Sequence, residues 1–118
     1  MARLNDEAKL ALILETLENA SRGVEGYVSW KPIAWEWIVK NLNSQTRQTI
    51  ADAMYQHAQA GGEIDEVREK REAHRDDTQF HYDFRLRIES LDVYLETVLA
   101  VTRTGPILRV VSAHLKYL

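Results

Sequence analysis

Six side chains toward the C-terminus are of the types that move protons and hold phosphates: Arg85, Arg87, Tyr94, Glu96, Ser112 and His114. RNA can be cut through its own 2′-hydroxyl when three conditions are met. A base takes the hydroxyl proton, an acid protonates the leaving oxygen, and cations hold the charge of the phosphorane. Glu96 suits the base. His114 suits the acid, because imidazole exchanges protons near neutral pH. Arg85 and Arg87 suit a bidentate phosphate clamp. Tyr94 can stack a base or donate a hydrogen bond, and Ser112 adds a hydroxyl. This chemistry calls for no metal and no cofactor.

Strands must bring these residues together. From Phe80 to Glu89 apolar and polar residues alternate without a break. Phe80, Tyr82, Phe84, Leu86 and Ile88 point one way, and His81, Asp83, Arg85, Arg87 and Glu89 the other, as on a strand with one dry and one wet face. Val93 to Thr102 and Ile107 to Leu115 read as two more strands, after turns at Ser90-Leu91-Asp92 and Gly105-Pro106. Pairing Ile88 with Val93 predicts Arg87 opposite Tyr94 and Arg85 opposite Glu96. Pairing Val101 with Ile107 predicts Ser112 beside Glu96 and His114 beside Tyr94. The second register leaves Arg109 on the apolar side, which a bulge near Gly105-Pro106 would repair. The plainest alternative makes Arg85–Glu96 an ordinary cross-strand ion pair.

The first half reads as helices. Asn5 is the expected cap of a helix that stops at Gly23. Gly23 to Lys31 reads as a loop. Pro32 opens a second helix reaching about Leu42. Asn43 or Ser44 caps a third that runs to about Ala60, before Gly61-Gly62. Glu63 to Gln79 is a mixed-charge connector, either a short strand and a loop or a solvated helix. The expected fold is one α+β domain over residues 1–118. Three N-terminal helices (1–62) pack on one face of a C-terminal antiparallel meander of three to four strands (80–118), joined by the 63–79 connector. The opposite, polar face is where function is expected.

The chain of 118 residues suits one domain, and 45% hydrophobic with 28% charged residues argues against global disorder. The lack of cysteine excludes disulfides, thiol catalysis and Cys-ligated metals. A net charge of −3 argues against a purely electrostatic nucleic-acid binder. Acidic residues interrupt the N-terminus, and the longest apolar run is Leu10 to Leu14, so a soluble, cytoplasmic protein without a membrane segment is expected. His57, His74, His81 and His114 show no zinc spacing. His74 with Asp76 and Asp77 offers at most adventitious metal binding. No phosphate loop, nucleophile elbow or dinucleotide fingerprint is present. Trp30, Trp35 and Trp37 mostly suit core packing. Trp35 and Trp37 stand two apart on a helix, so one of them is expected to be exposed or covered by a partner.

Helices followed by an antiparallel meander that carries these residue types resembles the small metal-independent ribonucleases, the barnase-like and RelE-like toxin group. The resemblance spans element order and residue types from Phe80 to Leu118. It implies that Arg85, Arg87, Glu96 and His114 cut RNA, with Tyr117 as a late aromatic. Members of that group are usually basic, whereas Thr78 to Leu118 holds five basic and four acidic residues here. The competing expectation fits the acidic balance better and is the favoured broad class. It is a protein-binding module, antitoxin- or immunity-like, that engages a partner protein or a second copy through the Trp segment or the charged connector.

Overall fold

Asp6, not Asn5, starts the first helix: its carboxylate accepts from the Ala8 and Lys9 amides at 3.0 and 3.1 Å. These donors would otherwise lack partners in the first turn, and the negative charge suits the helix dipole. Helix α1 spans Glu7–Ser21 and stops before Gly23, whose φ of +86° only glycine adopts without strain. Pro32 opens α2, Pro32–Asn41, as its fixed φ favours. Thr46 caps α3, Arg47–Gln59, in a reciprocal capping box with Thr49. The expected caps Asn43 and Ser44 fall in the α2–α3 connection instead. The computed structural model describes residues 2–68 and 80–115. Glu69 to Gln79 of the charged connector, including His74 and its neighbouring acids, and Tyr117 therefore lie outside the described residues.

Among those residues the strands form one mixed sheet of six, in the order β1-β3-β4-β5-β6-β2. They are β1 (Ala2–Arg3), β2 (Val28–Trp30), β3 (Ile64–Arg68), β4 (Phe80–Ile88), β5 (Leu91–Thr102) and β6 (Gly105–Leu115). β4 to β6 make the expected antiparallel meander, and β3, from the stretch expected to be a connector, pairs antiparallel with β4. Two additions extend it. β1 pairs with β3, and β2 runs parallel to β6. The segment expected to be a loop from Gly23 to Lys31 thus contains a strand. Leu108 donates to the Tyr27 carbonyl at 2.8 Å and Lys31 to the Val110 carbonyl at 2.9 Å, so β2 satisfies the outer edge of β6. Three residues are too few for period-two alternation to announce a strand.

Both expected hairpin turns prove tighter. Ile88 faces Leu91 across Glu89-Ser90, where both residues have left-handed φ values, 52° and 68°. That turn matches the twist of the strands it joins. Glu89 is held there by its carboxylate, which accepts from Ser44 at 2.8 Å and Gln45 at 3.0 Å. Thr102 faces Gly105 across the second turn. The register then shifts between Glu96 and Thr97, whose partners are Ser112 and Val110, leaving Val111 as the extra residue of a bulge. The bulge sits in mid-strand rather than at Gly105-Pro106. It turns Arg109 outward, opposite Val98, while keeping Leu108, Val110 and Ala113 in the core.

All three helices cover one face of the sheet. Ile13 and Leu17 of α1, Ala34 and Ile38 of α2, and Ile50, Met54 and Ala58 of α3 join Phe84, Leu86, Val93, Leu95, Leu108 and Val110 in one buried cluster. Burying such side chains stabilises by about 1.5–3 kcal/mol each before entropy is counted. Two hydroxyls in this layer are satisfied: Thr97 donates to the Tyr82 carbonyl and Thr16 to that of Pro106. Among the described residues no helix is long and apolar enough to cross a membrane.

Candidate functional site

The outward face of the sheet carries rows of polar residues set by strand register. One row runs Asp65–Asp83–Glu96–Ser112 across β3, β4, β5 and β6. The next runs Arg85–Tyr94–His114, and the third pairs Arg87 with Asp92. The tight Glu89-Ser90 turn slides β4 by two residues against the expected pairing. Arg85 therefore faces Tyr94, and Asp83 takes the place opposite Glu96. Two-residue slippage preserves the face on which each side chain lies, so the polar set stays together while its partners change. Ser112 beside Glu96 and His114 beside Tyr94 match the expected geometry, and the bulge makes this compatible with the turn.

Glu96 lies between two imidazoles. Its Oε2 is 3.5 Å from His81 Nδ1 and its Oε1 is 3.8 Å from His114 Nε2. The His114 ring stacks on Tyr94, with centroids 5.1 Å apart and planes 16° apart. His114 Nδ1 lies 3.0 Å from the Leu115 carbonyl, which only accepts, so Nδ1 carries hydrogen and Nε2 is the atom presented to Glu96. Tyr94 donates to Asp83 Oδ2 at 3.1 Å. A chain of contacts thus runs from Asp83 through Tyr94 and His114 to Glu96.

Asp83 and Asp65 are only 5% and 6% exposed, and Asp83 Oδ1 and Asp65 Oδ2 have no hydrogen-bond partner. Burial pushes the Asp83 carboxyl up to about 6; the Tyr94 hydrogen bond opposes the rise, and the Glu96 and Asp65 carboxylates add to it. Burial likewise pushes the Tyr94 hydroxyl up to about 12, and the Asp83 charge adds to it. A buried carboxyl shifted in this way, on a face that also carries histidines, is a candidate functional group.

The cations are arranged less favourably. Arg85 Nη2 lies 2.5 Å from Glu63 and 3.2 Å from Asp65, so two carboxylates already hold it. Arg87 pairs with Asp92 at 3.2 Å with both side chains exposed. Such a pair is weak and opens easily. Arg109 is exposed on this same face and has no acid partner among the described residues. Trp35 and Trp37, the expected binding aromatics, are both half-buried and packed against the core. Trp35 meets Trp30 edge-on at 5.0 Å. The large apolar residues that α2 does expose are Ile33 at 71% and Val39 at 53%. Both indoles are half-covered, which a strict one-face reading of the helix excludes.

Sequence reasoning placed His81 and Asp83 on the wet face without giving them a role, because the assumed turn kept them away from Glu96. Asp65 and Glu63 left no such signal: their place depends on β3, five residues long inside a charge run. Among the described residues no group of three or more His, Asp or Glu side chains has the geometry to hold a metal ion. The fold and this face define a small α+β protein whose sheet has one helix-covered side and one polar, outward side. No protein-family model matches the chain, and neither curated proteins nor solved structures give a match.

Proposed function

We propose that the outward sheet face is an acid–base site that cleaves RNA through the substrate's own 2′-hydroxyl. The observation that carries this reading is Glu96 held between His81 and His114, with His114 stacked on Tyr94. Glu96 takes the 2′-hydroxyl proton as the oxygen attacks the adjacent phosphorus. His114, protonated at Nε2, gives its proton to the departing 5′-oxygen, leaving a 2′,3′-cyclic phosphate and a 5′-hydroxyl. Asp83 orients Tyr94, and Tyr94 orients His114. Because Arg85 is engaged by Glu63 and Asp65, phosphate binding falls to Arg87 and Arg109 as well. The test is incubation of the purified protein with total RNA in EDTA. Cleavage with cyclic-phosphate ends, lost in Glu96→Gln and His114→Ala, is expected. Intact RNA with the wild type overturns the reading.

The second reading is a protein-binding module of antitoxin or immunity type, acting on a protein partner or a second copy. The exposure of Ile33 and Val39 on α2, above the Trp35 and Trp37 layer, favours it. Sedimentation of the wild type against an Ile33→Glu, Val39→Glu double variant tests self-association. A dimer that the double variant dissolves supports a second copy as the partner, and a wild-type monomer excludes one.

A further inference from the structure

At the sheet edge formed by β2, opposite the edge carrying β3 and β1, a half-open cavity of about 450 Å³ lies between the end of α1, the loop before β2 and the first turn of α3. That volume is typical of small-ligand pockets. Its apolar wall comes from Ala20, Val24, Val28, Ala51 and Trp30. Two charged residues of opposite sign, Glu25 and Arg47, line the same cavity, yet they form no ion pair with each other or with any other described residue. Arg47 is kept in place by the Trp35 ring, 5.1 Å from its guanidinium carbon. It stands at the first position of α3, where the helix dipole adds to its positive field. The Trp30 indole nitrogen is buried with no hydrogen-bond acceptor.

We propose that this cavity binds the zwitterion of a small apolar α-amino acid. Arg47 takes the carboxylate and Glu25 takes the ammonium, while the side chain lies among Val24, Val28 and Trp30. Two separated, unpaired charges of opposite sign are complementary to a dipolar ion and discriminate against a ligand carrying either charge alone. The site is remote from Glu96 and His114, and the proposal holds whichever function that face performs.

The experiment follows the Trp30 indole N–H resonance and tryptophan fluorescence during titration with L-leucine, isovalerate and isoamylamine. Saturable shifts with L-leucine, at least tenfold weaker with isovalerate and with isoamylamine, are expected. Arg47→Ala and Glu25→Gln each weaken L-leucine binding at least tenfold. Both positions are exposed, so an unchanged melting temperature in each variant establishes that folding is retained. No saturable shift with L-leucine up to tens of millimolar overturns the proposal. Equal binding of leucine and isovalerate overturns the role of Glu25, and with it the zwitterion.

Discussion

The two faces of this sheet use the same strands and obey opposite rules. On the helix-covered side, Phe84, Leu95 and Val110 are excluded from water within the apolar cluster. Each contributes through the area it removes from water. On the outward side, Asp65 and Asp83 are almost as deeply buried; Asp83 Oδ1 lacks a hydrogen-bond partner, and Asp65 is offset only by the Arg85 guanidinium at 3.2 Å. Burial there costs stability instead of supplying it. A surface that keeps such groups against their folding cost is a candidate for chemistry, and a surface that avoids them is scaffolding.

Four measurements break or sharpen this contrast. Phe84→Ala, at the centre of the covered face, should destabilise by about 3–5 kcal/mol through lost burial and a residual cavity, read from urea unfolding. A cost under about 1 kcal/mol would mean that the layer is not packed as a core.

Asp83→Asn should move stability the other way. Burial raises the folded carboxyl to about 6, above its ordinary value of 3.8. The stability tied to its proton is therefore fully present below that ordinary value and is lost as pH rises through about 6. At pH 8 the ionised aspartate opposes folding. The asparagine variant, whose amide oxygen still accepts from Tyr94, should then be more stable by on the order of 2 kcal/mol. The gain should shrink to nothing by pH 4. A pH-independent difference between variant and wild type would remove the buried-acid interpretation.

Ser90→Gly relieves a left-handed backbone in the turn that sets the β4–β5 register. It should stabilise by about 1 kcal/mol. A loss of stability would show that the serine side chain contributes more than its strain costs. The smallest effect belongs to Arg87→Ala. Its exposed pair with Asp92 should contribute at most about 0.5 kcal/mol to folding. Under the ribonuclease reading the same change should weaken RNA binding, measured as a lower salt slope.

Legibility followed length and locality. The ten-residue alternation from Phe80 assigned every β4 side chain to its face, and Pro32, Gly23 and Gly61 marked helix ends from local backbone preference. Caps were missed by one to three residues because Asn5, Asp6, Ser44 and Thr46 are chemically near-equivalent there, and only the helix path selects among them. The partner of Glu96 was missed because two turn lengths both keep alternation intact. Trp35 and Trp37 were misjudged because helix periodicity gives a face, not the depth to which neighbours cover it.

What this sequence determines alone is which side chains share a face, since the reversal of successive residues on a strand and the turn of a helix are properties of the local backbone. Tertiary structure decided which of them meet. The Glu89-Ser90 turn, the bulge at Val111 and the parallel placement of β2 depend on the twist of strands, on edges that need hydrogen bonds and on hydroxyls reaching from a distant helix connection. Those choices put His81 and His114 on either side of Glu96, and no local pattern encodes them, because they arise only when segments far apart in the chain compete for the same space.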